Sequence, residues 1–198
     1  MFIKICGLRR EKDVEYVNEL RPDYVGFVFA KGRKRTVTDD EAAGLKAMLA
    51  DDIKAVGVFV DDDVERVSSL LENGIIDVAQ LHGDEDETYI RELRKMTNKP
   101  IIKAFQIGEN TDMNEIKDSS ADIVLLDSGQ GSGRELNLKH IAGIDRSYIL
   151  AGGLSPDNVA EVISRAPDGI IGVDVSSGVE TDGFKDHEKI RLFMERGK

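Results

Sequence analysis

Short runs of valine, isoleucine and other strand-forming residues recur at near-regular intervals along this chain, with helix-periodic segments between them. Eight runs stand out: Phe2–Leu8, Tyr24–Phe29, Lys54–Val60, Val78–His82, Ile101–Ile107, Ile123–Asp127, Tyr148–Ala151 and Gly169–Val175. Most are nearly continuous in apolar character, the pattern of strands buried on both faces. Several intervening segments open on helix-start signals. Thr38-Asp39-Asp40-Glu41, Asp61-Asp62-Asp63 and Ser155-Pro156-Asp157 place caps or acids ahead of an apolar periodic stretch. Helical faces are readable at Val64/Val67/Leu70/Leu71 and at Val159/Val162/Ile163. The segment Asp112–Ser119 is short and polar, so the fifth helix is expected to be short or irregular.

Strand and helix in alternation predict an α/β fold with a parallel sheet and crossover helices. An open doubly wound sheet and a closed (βα)8 TIM barrel both satisfy that pattern. The count of eight favours closure, and 198 residues lie at the lower end of the barrel size range. No Gly-x-Gly-x-x-Gly follows the first run, which removes the main support for a dinucleotide-binding sheet. No linker or low-complexity segment divides the chain, so residues 1–198 are read as a single domain.

Composition narrows the partners. The net charge of -11 argues against nucleic acid or an anionic membrane as a ligand. No apolar stretch approaches the roughly 18 residues of a membrane span. The single cysteine rules out an internal disulfide and points to a reducing, cytoplasmic setting. The chain opens directly on a strand pattern, read as the absence of a signal peptide. A monomer and a homodimer both fit these features.

Barrel enzymes build their sites from the loops after the strands, so polar residues at the run ends are the candidates. Cys6 ends the first run, His82 the fourth and Asp127 the sixth, and Asp174 lies near the end of the eighth. A lone cysteine is most often a small buried hydrophobe; at a strand tip before Gly7 it can also face a cleft. The two-residue period puts Lys4 and Cys6 on one face, and Gln80 and His82 on another shared face. An inward Lys4 needs a partner, and in a closed barrel Asp174 on the adjoining last strand can supply it.

The last two runs end in glycine-rich turns, Ala151-Gly152-Gly153-Leu154 and Val175-Ser176-Ser177-Gly178-Val179-Glu180. They read either as two tight turns or, in this position of a barrel, as a phosphate site built from backbone amides. The loop Ala30-Lys31-Gly32-Arg33-Lys34-Arg35-Thr36 is a basic island in an acidic protein. It is either a solvated face or an arginine clamp for a carboxylate.

These motifs resemble the phosphoribosylanthranilate isomerase family of tryptophan biosynthesis over essentially the whole chain. The matching pieces are Lys4-Ile5-Cys6-Gly7-Leu8, Gly26-Phe27-Val28-Phe29 followed by Arg35, Gln80-Leu81-His82-Gly83, Leu126-Asp127-Ser128, Ala151-Gly152-Gly153-Leu154 and Asp174-Val175-Ser176-Ser177-Gly178-Val179-Glu180. Gly32-Arg33-Lys34-Arg35 departs from the usual Ser before a Pro-Arg or Lys-Arg pair, leaving the arginine in place. The resemblance implies an Amadori rearrangement of N-(5-phosphoribosyl)anthranilate, a phosphorylated small molecule, to the open-chain 1-deoxyribulose derivative. It implies Asp127 as the acid and Cys6 as the base, with Asp127 raised and Cys6 lowered in pKa. It implies Arg35 on the anthranilate carboxylate, the amides of Gly152, Gly153, Ser177 and Gly178 on the phosphate, and His82 and Asp174 lining the site. The iminium formed on ring opening is its own electron sink, so neither a metal nor an organic cofactor is expected.

Three other readings compete. A metal-dependent sugar-phosphate epimerase needs several His and Asp ligands at strand ends, and of three histidines His140 and His187 read as helix or loop residues. An indole-forming barrel enzyme would place Glu or Lys catalysts on early strands, where this chain ends in Val28-Phe29 and Phe59-Val60. A non-catalytic phospholigand-binding module has no need of an acid–base pair.

Overall fold

The computed structural model describes residues 1–109, 111–128, 138–141 and 143–198. Its elements run β1 Phe2–Cys6, α1 Glu11–Leu20, β2 Tyr24–Val28, α2 Asp39–Met48, β3 Lys54–Phe59, α3 Val64–Glu72, β4 Val78–Leu81, α4 Glu87–Met96, β5 Ile101–Gln106, α5 Met113–Asp118, β6 Ile123–Asp127, β7 Tyr148–Ala151, α6 Val159–Arg165, β8 Ile170–Val175, β9 Glu180–Thr181, β10 Phe184–Lys185 and α7 His187–Arg196. The first eight strands close in chain order, with β1 paired in parallel to both β2 and β8. The open-sheet alternative is therefore excluded. Helix α5 has six residues, as its polar sequence predicts. Between β6 and β7 the described residues form only a 3-10 turn at Leu138–Ile141. No helix among the described residues is long and apolar enough to cross a membrane.

The two-residue period sorts each strand into an inner and an outer face. Ile3 and Ile5 are fully buried and join the large cluster between the sheet and the helices. Lys4 and Cys6, one position out of phase, turn into the barrel. The inside holds a smaller apolar cluster of Val56, Val78, Ile102, Ala104, Leu125, Ile149 and Ala151. Gln80 lies in register with Ile102, and Lys4 with Asp174. Three polar side chains thus share the barrel interior with that apolar plug.

The caps act largely as their sequences suggest. Thr38 and Glu41 form a reciprocal capping box on α2, and the Asp63 carboxylate caps α3. Helix α6 starts later than Ser155-Pro156-Asp157 suggests, with Asn158 at its N-cap. The Asn158 side chain is occupied elsewhere: it accepts from the Ser155 N–H at 2.8 Å and donates to the Gly153 carbonyl at 2.9 Å, tying the helix start to the β7 turn. Several strands also end before their apolar runs do. β1 stops at Cys6 because Gly7 adopts φ +86, and His82 follows β4 instead of ending it.

Candidate active site

The polar residues of interest gather at the C-terminal ends of the barrel strands, in two groups. The first surrounds Cys6. A Cβ added to Gly26, its register partner on β2, would lie 2.7 Å from the Cys6 Sγ, so a glycine there is what gives the sulfur its place. Lys4, 1% exposed, donates from Nζ to Asp174 Oδ1 at 3.0 Å, which confirms the pairing expected from closure. Burial works against the Lys4 ammonium, but Asp174 and Cys6 together hold its pKa above the ordinary value.

A second set of charges covers the same side. Arg35 donates from Nε and Nη2 to the two Glu180 oxygens at 2.6 and 2.7 Å, a bidentate fork. Lys185 on β10 donates to Glu180 Oε1 at 2.8 Å and to the Ser176 carbonyl at 2.9 Å. Burial raises Glu180, but Arg35 and Lys185 more than reverse it and hold the carboxyl at about 2. Burial also lowers the Lys185 ammonium, despite Glu180. Of the basic island, Lys31, Arg33 and Lys34 are exposed; Arg35 is the member directed at the site. A Cβ on Gly7 would come 2.4 Å from Arg35 Cδ, so that glycine is required by space as well as by its φ.

The Cys6 thiol departs from expectation. Burial pushes it above its ordinary value; Lys4 and Lys185 pull it back and Asp174 pushes it further up. The reason is that Cys6 is only 8% exposed at the inner wall of the barrel, where an anion is poorly solvated.

The second group surrounds Asp127. His82 Nε2 lies 3.1 Å from Asp127 Oδ2, and Gln80 Nε2 lies 2.9 Å from His82 Nδ1. With the Gln80 amide donating to Nδ1, the imidazole proton sits on Nε2 and points at the Asp127 carboxylate. The buried Gln80 Oε1 has no partner among the described residues. Turning the amide over therefore costs no hydrogen bond at its far end, and the same chain can serve a protonated Asp127 with the donors reversed. A Cβ on Gly152 would lie 2.6 Å from Asp127 Oδ1 and 2.3 Å from Ser128 Oγ.

The glycine turns meet each other. Gly152 and Gly153 take φ of 92 and 64, which orients successive amides in a way that side-chain-bearing residues rarely allow. A Cβ on Gly178 would sit 1.9 Å from the Leu154 carbonyl, so the β7 and β8 turns abut because Gly178 has none. Ser177 opens a 3-10 turn, Ser177–Val179, and Ser176 Oγ donates to the Cys6 carbonyl at 3.0 Å.

The structure thus brings Cys6, Arg35 and Asp174 into one cluster and His82, Asp127 and Gly152 into another; Cys6 on β1 and Asp127 on β6 lie three strands apart around the ring. Sequence reasoning missed Gly26 as the seat of the thiol, Glu180 as the shared partner of Arg35 and Lys185, and the link from Gln80 to Asp127. Only Gln80 carried a signal, its shared face with His82. Among the described residues no three His, Cys, Asp or Glu side chains group as a metal ion would need.

A closed parallel barrel with titratable groups concentrated at the C-terminal ends of its strands places the chain among the (βα)8-barrel enzymes. The family model for N-(5'phosphoribosyl)anthranilate (PRA) isomerase matches residues 3–196, and the chain belongs to that family. An N-(5'-phosphoribosyl)anthranilate isomerase from Thermoanaerobacter pseudethanolicus is 41% identical over 201 residues, covering 98% of this chain and 96% of that protein. The crystal structure of phosphoribosyl anthranilate isomerase from Thermotoga maritima superposes with a TM-score of 0.89 at 31% identity, covering 100% of this chain and 98% of that one. A phosphoribosyl anthranilate isomerase solved in complex with reduced 1-(O-carboxyphenylamino)-1-deoxyribulose 5-phosphate superposes with a TM-score of 0.84 at 30% identity, covering 100% and 98%.

Proposed function

We propose that this chain isomerises N-(5'-phosphoribosyl)anthranilate to 1-(2-carboxyphenylamino)-1-deoxyribulose 5-phosphate, in tryptophan biosynthesis, with Cys6 as general base and Asp127 as general acid. The observation that carries this is the family match over residues 3–196, in a chain that keeps a thiol and a carboxylic acid at one barrel mouth, each seated against a glycine.

The chemistry follows from the groups present. Asp127, carrying a proton, gives it to the furanose ring oxygen. The C1–O bond breaks, and the anthranilate nitrogen lone pair closes a C1=N iminium. The Cys6 thiolate takes the C2 proton; those electrons form the C1=C2 bond and neutralise the iminium. The resulting enol gains a proton at C1 and loses one from its hydroxyl to give the ketose. Each step moves only protons and bonding pairs of the substrate, so two positioned acid–base groups suffice.

Binding is assigned to other residues. Arg35 meets the anthranilate carboxylate through the part of its guanidinium outside the Glu180 fork, and Glu180 fixes its orientation. The amides of Gly152, Gly153, Ser177 and Gly178 hold the phosphate; the abutting turns and the positive φ of the first two support this. His82 and Asp174 line the site, His82 through its bond to Asp127. The reading includes a cytoplasmic location and a monomer or homodimer. One similar structure is of monomers generated from a dimeric phosphoribosylanthranilate isomerase of Thermotoga maritima, so dimers occur in the family.

The test is loss of anthranilate-substrate fluorescence on adding purified protein. Turnover that disappears in Cys6→Ala and in Asp127→Asn supports the assignment. A wild-type protein that binds the substrate without consuming it would reduce the chain to a binding module.

A further inference from the structure

The reading of Cys6 as base leaves a difficulty: the barrel wall that holds the thiol also disfavours its anion. The structure places an offset beside it. Lys4 precedes Cys6 by two residues on β1 and shares its inward face, and its side chain is 1% exposed. Apart from Gln80, the rest of this interior is an apolar plug of Val, Ile, Leu and Ala. A buried ion pair is costly there, and apolar side chains of similar volume often pack as well or better. Packing therefore does not account for Lys4 and Asp174.

We propose that Lys4 is a positioning residue for the base: its buried ammonium, fixed by Asp174, stabilises the Cys6 thiolate that takes the substrate C2 proton. Four charged groups from four parts of the chain face the sulfur. They are Lys4 on β1, Asp174 on β8, Lys185 on β10 and Arg35 from the loop after β2. Arg35 and Lys185 are both committed to Glu180. Of these charges Lys4 acts most strongly on the thiol, and it alone shares the inward face of β1 with it. Asp174 has two opposed effects. It keeps Lys4 protonated and in place, and its own negative charge disfavours the thiolate.

That opposition gives the test its signs. Cys6 is the single cysteine of the chain, so ultraviolet thiolate absorbance and the pH dependence of iodoacetamide alkylation report on it alone. Lys4→Met should raise the titration midpoint by about one pH unit or more, a roughly tenfold loss of thiolate at neutral pH. Turnover should fall by a similar factor, recover as pH rises, and leave KM nearly unchanged. The neutral pair Lys4→Met/Asp174→Asn should raise the midpoint by less than Lys4→Met alone. An unfolded chain would show a midpoint near that of a free thiol, below the folded one. Loss of circular dichroism in Lys4→Met would transfer the decision to the double variant, which carries no unpaired charge. A midpoint that stays put or falls, in whichever of the two is folded, overturns the proposal. Cys6→Ala tests the base assignment separately: full turnover there, with the midpoint still raised in Lys4→Met, would discard the base and keep the electrostatic link.

Discussion

The two sides of the barrel mouth present the same kind of group, a titratable side chain against a glycine, in opposite surroundings. Around Cys6 lie Lys4, Asp174, Lys185, Glu180 and Arg35; the first four have side chains less than a tenth exposed. Around Asp127 lie the imidazole of His82 and the amide of Gln80, and His82 and Asp127 are 23% and 19% exposed. The difference bears most directly on the thiol. A thiol in a dry wall yields an anion only where cations are fixed nearby.

Removing either centre is expected to have the largest effect. Cys6→Ala and Asp127→Asn should each lower turnover by about 100-fold or more, the scale of a lost positioned acid or base. Substrate affinity, measured by fluorescence titration, should change far less, because phosphate and carboxylate contacts lie elsewhere. Equal KM effects and unchanged turnover would remove the acid–base division between the two sides.

The glycine seats come next. Gly26→Ala would force the Cys6 sulfur aside, and Gly152→Ala would press on the Asp127 carboxylate at a φ that alanine avoids. Displacement of about an ångström can cost roughly 10- to 100-fold in turnover. The overpacking should also cost about 1–3 kcal/mol of stability, readable by urea denaturation. Alanine at either position with wild-type turnover would show that the centre on that side tolerates displacement.

Glu180→Gln addresses the charged side through its pH dependence. The folded carboxyl titrates at about 2, below the unfolded glutamate range near roughly 4.3. Its contribution is therefore fully present above the unfolded value and is lost as pH falls through the folded one. At neutral pH the substitution should cost about 1–3 kcal/mol, for the loss of charged hydrogen bonds from Arg35 and Lys185. The gap to wild type should close as pH falls from roughly 4.3 toward about 2. A constant gap across that range would mean the ion pairs contribute nothing. The smallest effect is expected away from the mouth. Arg165→Ala breaks an exposed pair with Glu161 one helical turn away and should change stability by no more than about 0.5 kcal/mol.

Much of the architecture was legible in local pattern. The eight runs, the short α5 and the Thr38 and Asp63 caps all reflect neighbours in sequence, and each was recovered within a residue or two. The site was legible only in part. Cys6, Asp127 and the glycine turns announced themselves as polar or glycine residues ending apolar runs. Lys185 sits outside every recognisable run, on a two-residue strand, and nothing local marks it as a partner of Glu180.

What the sequence by itself determined is the alternation of eight strand-like runs with helical segments, and the face on which each inward residue falls. Both follow from periods of 2.0 and 3.6 residues, which need no knowledge of distant chain. The tertiary structure decided which faces meet. It joined Lys4 to Asp174 across 170 positions, set the thiol over Gly26, and linked Gln80 through His82 to Asp127. It also decided the direction in which Cys6 is shifted, because burial and the balance of surrounding charges exist only once the barrel closes.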